Sequence, residues 1–260
     1  MSSIKFDYPV KEITYKEIND RKLKFYIFEP ETALENKPVL LFFIGGSFKK
    51  DPVSPARFQH QAHYFASKGI LSICVDYRNG KDEGFSPIQA ICDVKSAVRW
   101  VRENASNLGV NPNELVVCGS SAGSYIAVSS IMFDELNDDN DNLKINHIPN
   151  ALIIFAGGMD AVDIMTRRYP ELIDKATEIS PLHQVKKCLP PTLWLCGDSE
   201  RDYEQNKTFV KRMNEQGNDI SFYEYEGGEH GFFHYGRHEN KYYHETLTEM
   251  ENFLKLKGYI

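Results

Sequence analysis

Apolar runs of strand length recur along the chain, at Val39 to Ile44, Ile70 to Val75, Leu115 to Cys118, Ala151 to Phe155 and Thr192 to Cys196. Successive strand side chains point to opposite faces, so a run that does not alternate describes a strand covered on both sides. Between the runs lie segments of helical period. In Pro87 to Asn104, Ile88, Ile91, Val94, Val98 and Val101 fall on one face. Strands alternating with helices predict βαβ units and a mostly parallel sheet, hence an α/β fold. Glu12 to Tyr15 and Leu23 to Phe28 instead alternate apolar with polar, with no long helix between them, which predicts an antiparallel hairpin at the sheet edge. Ile220 to Tyr225 supplies one more strand, and Tyr242 to Lys257 reads as a closing amphipathic helix.

Two polar stretches interrupt the alternation. Asp134 to Asn150 is Asn- and Asp-rich and reads as a solvated loop. Asp160 to Gln184 contains MTRRYPELIDKATEISPLH and predicts one or two short helices over the carboxyl edge of the sheet, where ligands of open α/β sheets bind. With no internal repeat and no Pro/Gly/Ser linker, residues 1–260 read as a single domain carrying a small cap at 160–184.

The 260 residues, 42% of them hydrophobic, are enough for a sizeable core and exclude a disordered chain. Thirty Lys and Arg against 37 Asp and Glu give a net charge of −7, and the one dense charge run, Asp134 to Asp141, is acidic. Such a surface repels a phosphate backbone, so no nucleic-acid partner is expected. The start MSSIKFDYPV lacks the basic and apolar parts of a signal peptide, and no window approaches the roughly 18 apolar residues of a membrane span. A soluble, cytoplasmic protein without a membrane partner is the expectation. Cysteines at 74, 92, 118, 188 and 196 form no CxxC pair, and read as free thiols rather than disulfides or a metal site.

After the run Leu115 to Cys118 comes Gly119-Ser120-Ser121-Ala122-Gly123, followed by YIAVSSIMF, which can form a buried helix. Strand, tight turn and helix are the context of a nucleophile elbow, which would present the Ser121 hydroxyl at a helix N-terminus. A serine needs a base. His230, in GGEHGFF just after the strand Ile220 to Tyr225, is placed to reach it, whereas His234 and His238 lie in a stretch that reads as solvated surface. The third member is a carboxylate that fixes the histidine tautomer. The turn Gly197-Asp198-Ser199-Glu200-Arg201-Asp202 offers three. Asp198 suits a turn cap; Glu200 has position and reach; Asp202 is the runner-up, and equally an N-cap for a helix from about Tyr203 to Gln216. An oxyanion needs two backbone N–H groups. Ala122 supplies one from the elbow; Gly46 and Ser47, in Phe43-Ile44-Gly45-Gly46-Ser47-Phe48, supply the second, with Gly45 shaping the turn.

In this order the pieces resemble an α/β-hydrolase of the esterase/lipase group, closest to acetyl-esterase and feruloyl-esterase-like (BD-FAE-like) enzymes and bordering the kynurenine formamidases. The resemblance is carried by FFIGGSF, DYR, DVKSAVRWVRENASNLGVNPNELVVCGSSAG, ISPLHQVKKCLPPTLWLCGDSE and YEGGEHGFF. It departs from the family pattern at Ile44, where a His is usual; at Ser47, where a third Gly is common; and at Glu200, which stands on the acid position. The resemblance implies a serine carboxylesterase that needs no cofactor and cleaves short acyl esters, an acylated sugar among them. An amidase, peptidase or arylformamidase would use the same groups, and a non-catalytic binding protein is the reading from another class. Arg167 and Arg168 read as a solvated face, the alternative being contact with an anionic substrate. Asp93 and Arg99 read as a pair on or beside their helix. Oligomeric state is not legible.

Overall fold

The computed structural model describes residues 4–31, 35–51 and 53–260. Two antiparallel strands, β1 (Lys11–Ile18) and β2 (Arg21–Phe28), precede β3 (Lys37–Phe43), the helix α1 (Gln59–Ser67) and β4 (Leu71–Val75). There follow α2 (Pro87–Glu103), α3 (Ala105–Leu108), β5 (Val110–Ser120), α4 (Ala122–Met132), β6 (Ala151–Phe155) and α5 (Ala161–Arg168). The chain closes with β7 (Thr192–Gly197), α6 (Tyr203–Glu215), β8 (Ile220–Tyr225) and α7 (Lys241–Leu256). The sheet runs β1-β2-β4-β3-β5-β6-β7-β8, parallel from β4 onward, with the hairpin at one edge.

The unbroken apolar runs are explained by two cores. On β3, Val39, Leu41 and Phe43 face a core shared with α2, α4 and α6, whereas Leu40 and Phe42 face one shared with α1 and α7. The apolar stripe predicted on Pro87 to Asn104 is the buried face of α2, whose start is fixed by a capping box between Ser86 and Gln89. The helix α1 has no counterpart in the sequence reading. Its run QHQAHYFAS shows few apolar residues, and Ala62, Phe65 and Ala66 are buried only because β4 and the hairpin lie beneath them. None of the described helices is long and apolar enough to cross a membrane.

The stretch Asp134 to Asn150 is not simply solvated, because two of its acids turn inward. Asp138 pairs with Lys16 and Arg78, and Asp141 with Arg99. Asp93, fully buried, accepts from Lys16 Nζ at 2.8 Å and from the Arg78 guanidinium at 2.7 Å; its partners are therefore Lys16 and Arg78, not Arg99. Helical spacing places Asp93 and Arg99 on one element, but the strand-end loop brings Arg78 to the carboxylate face. Removing one member leaves buried charge unmatched, so Asp93→Ala is expected to lower the free energy of unfolding by about 3 kcal/mol, measured by urea denaturation. Cys74, Cys92, Cys118 and Cys196 are buried free thiols, and Cys188 is exposed.

Candidate active site

At the carboxyl end of β5 the chain turns sharply into α4, and Ser121 sits at the apex with φ 56° and ψ −121°. A non-glycine residue in this region is strained and persists only where its surroundings over-determine it. Here Ser121 N donates to Ala156 O at 2.9 Å, and its carbonyl accepts from Ser124 N at 3.0 Å. The turn also demands a close approach: a Cβ on Gly123 would stand 2.0 Å from Phe43 O, so any side chain there would push α4 off β3. The Gly-x-Ser-x-Gly spacing is thus a packing requirement as well as a turn signal.

The loop after β7 and the loop after β8 are laced together by backbone. Ser199 N donates to Gly228 O at 3.1 Å, Asp198 N to Tyr225 O at 3.1 Å, and the Asp198 carboxylate accepts from Gly227 N at 2.8 Å. This lacing sets Glu200 opposite His230. Glu200 Oε2 lies 2.7 Å from His230 Nδ1, and His230 Nε2 lies 3.1 Å from Ser121 Oγ. The Glu200 side chain is 4% exposed while the imidazole is 63% exposed, so the acid is shielded and the histidine faces the opening. The hydrogen bond to Glu200 raises the His230 pKa above its ordinary value, against the opposing effect of burial. Of the three acids in the turn, Asp202 instead precedes the first turn of α6, with its carboxylate beside Arg201, and Asp198 holds the turn.

On the opposite side of Ser121 runs Gly45 to Phe48. A Cβ on Gly45 would stand 2.5 Å from Ser121 Cβ, so glycine there leaves room for the serine, and its N–H donates to Ser120 Oγ at 3.3 Å. Gly46 has φ +139°, and Ser47 and Phe48 are both left-handed at φ 54° and 56°. Ser47 thus adopts the conformation a glycine would take readily. Among the described residues the amides of Gly46 and Ser47 donate to no protein acceptor. The Tyr77 hydroxyl braces the loop by donating to Ile44 O at 2.6 Å.

Ser121 divides two cavities. One, of about 220 Å³, is lined by Phe48, Ala122, Tyr125 and Ile164 together with Arg167, Arg168, Arg201 and Asp202. Ile164, Arg167 and Arg168 come from α5, within the segment expected to cover the site; Arg167 is ion-paired with Asp163. The other, of about 340 Å³, has the glycine loop on one side and Gly231, Phe233 and His234 on the other. His234 is not at a solvated surface: it packs against Phe58 and Phe233, and its Nδ1 is buried without a partner. Its sequence neighbour Phe233 and the distant Phe58 together enclose it. Arg237, not singled out from sequence, donates to the His230 carbonyl at 2.6 Å and pairs with Glu229.

Fold and site define an α/β-hydrolase of the esterase group, with eight strands and a strand-turn-helix serine. The BD-FAE family model matches residues 25–213, and the chain belongs to that family. It is 28% identical over 148 residues to gut esterase 1 of Caenorhabditis elegans, covering 54% of this chain and 26% of that protein. This chain spans about a quarter to a third of the length of such curated relatives. Esterase 2 of Thermogutta terrifontis, in a structure phosphonylated by sarin, superposes with a TM-score of 0.91 at 30% identity, covering 96% of each chain. The same esterase with propionate bound superposes at 0.88, again at 30% identity, covering 96% of this chain and 95% of that one.

Proposed function

We propose that this chain is a carboxylic ester hydrolase acting on small esters through Ser121, His230 and Glu200. The observation that carries the reading is the hydrogen-bonded series from Glu200 through His230 to Ser121 Oγ at the apex of a strained elbow. Ser121 Oγ attacks the ester carbonyl carbon as His230 Nε2 takes the hydroxyl proton. The developing oxyanion is held by the Ala122 amide and by those of Gly46 and Ser47. When the carbon–oxygen bond to the alcohol breaks, His230 returns the proton to the leaving oxygen. Water then attacks the acyl-enzyme with His230 again as base, releasing the acid and restoring the serine. Glu200 holds the imidazole in the tautomer with its proton on Nδ1 and offsets the positive charge it acquires.

The smaller cavity, with Phe48, Tyr125 and Ile164, suits a short acyl chain under the cap at 160–184. Propionate and butyrate bound to the Thermogutta esterase are acids of that size. A fluorophosphonate probe tests the reading, because it reacts only with an activated serine. Intact mass spectrometry should find one adduct on the wild type, none on Ser121→Ala, and turnover of 4-nitrophenyl acetate by the wild type alone. A folded wild type that neither labels nor turns over would overturn it.

A further inference from the structure

The charged side chains that line the larger cavity beside Ser121 include more cations than carboxylates. Beyond Glu200, its charged lining consists of Lys49, Arg57 and Arg237 against the single acid Asp51. Arg237 is committed to Glu229 and to the His230 carbonyl. Lys49 and Arg57 are exposed, and among the described residues neither has a carboxylate within ion-pair distance. For a chain of net charge −7 this is a local reversal of sign at the mouth of the site.

His234 adds a neutral donor. Burial, with Arg57 and Arg237 nearby, pushes its pKa down to about 3, so it is uncharged at neutral pH. A buried N–H without an acceptor is rarer than a buried lone pair without a donor, which assigns the proton to Nε2 rather than to the enclosed, unpartnered Nδ1. The loop carrying His230 builds this cavity through Gly231, Phe233 and His234. His230, which protonates the leaving oxygen, lines both cavities, but only the larger one is also walled by the rest of its loop; the alcohol portion is therefore assigned there. The acyl chain is assigned to the smaller cavity with Phe48, Tyr125 and Ile164, whose charged lining beyond Glu200 is Arg167, Arg168 and Arg201 beside Asp202.

We infer that the site selects esters whose alcohol portion carries an anionic group such as a carboxylate, received by Lys49, Arg57 and His234. The inference rests on the hydrolase reading above. Its test compares kcat/KM for 4-acetoxybenzoate with that for its neutral methyl ester, each corrected for its uncatalysed hydroxide rate. The wild type should favour the carboxylate about tenfold at low salt, and the preference should shrink as ionic strength rises. The double variant Lys49→Gln/Arg57→Gln should bring the ratio close to one, while Lys144→Gln, a remote exposed cation, should leave it as in the wild type. A wild-type ratio of one or less, with the methyl ester still hydrolysed, would overturn the inference and leave the hydrolase reading standing. An equal fall in the ratio for Lys144→Gln and the double variant would also overturn it, since overall charge alone would then be the cause. Hydrolysis of neither ester would remove both readings together.

Discussion

Ser121→Ala should lower kcat for short esters by about 10⁵- to 10⁶-fold, leaving a small residue above the uncatalysed rate from the oxyanion amides and binding. The size of the effect follows from what is lost: without Oγ there is no acyl-enzyme, and His230 has no proton to take. The fold should survive. Alanine accepts the elbow conformation no worse than serine, and the bonds that hold the turn, Ser121 N to Ala156 O and Ser124 N to Ser121 O, are backbone only. Steady-state kinetics beside thermal unfolding checks both halves. A variant that keeps more than a hundredth of wild-type kcat would exclude Ser121 as nucleophile, and one that unfolds early would leave the kinetic loss to structure.

Glu200→Gln should cost about 10³- to 10⁴-fold in kcat/KM, because an amide facing Nδ1 can donate and so favours the wrong imidazole tautomer. Its pH signature separates this from a structural defect. The base must be neutral, so wild-type kcat/KM rises with pH through a midpoint above 6.5, the ordinary histidine value, since the hydrogen bond to Glu200 raises the His230 pKa. In Glu200→Gln that midpoint moves down. Asp202→Asn should move it less, because Asp202 acts on His230 only through space. The linkage has a definite sign. A histidine whose pKa is raised on folding contributes its stability fully below pH 6.5 and loses it as pH rises through the folded value. The stability gap between wild type and Glu200→Gln is therefore wider at pH 6 than at pH 9, a comparison urea denaturation makes directly. An unmoved rate midpoint would mean that Glu200 does not govern the histidine.

Much of the scaffold is legible because its signals are local. An apolar run as short as Ala151 to Phe155 has the length of a strand buried on both faces, and Gly119 to Gly123 after such a run marks the turn where β5 meets α4. The short helix α1 escaped for the opposite reason: in QHQAHYFAS the burial of Ala62, Phe65 and Ala66 comes from the sheet beneath, not from any periodic stripe. His234 escaped likewise, since a histidine among tyrosines and charges looks solvated until Phe58, from the other end of the chain, closes over it.

Legible from sequence alone are the order and type of most elements, and the chemical kinds of group that meet: a serine in an elbow, a histidine on a glycine-flanked loop, and a carboxylate among Asp198, Glu200 and Asp202. Which carboxylate faces the histidine was decided by tertiary structure alone. All three lie within five residues, and only the backbone lacing of residues 197–199 to residues 225–228 turns Glu200 toward Nδ1 while Asp202 is drawn to the start of α6. The same holds for Asp93, whose partner Arg78 is fifteen residues away in sequence. It holds again for the cations around the second cavity, where Lys49 and Arg57 meet Arg237 from the far end of the chain. Local patterns fix elements because backbone hydrogen bonding and burial act over a few residues; partner choice between charged side chains depends on directions that exist only once the elements have packed.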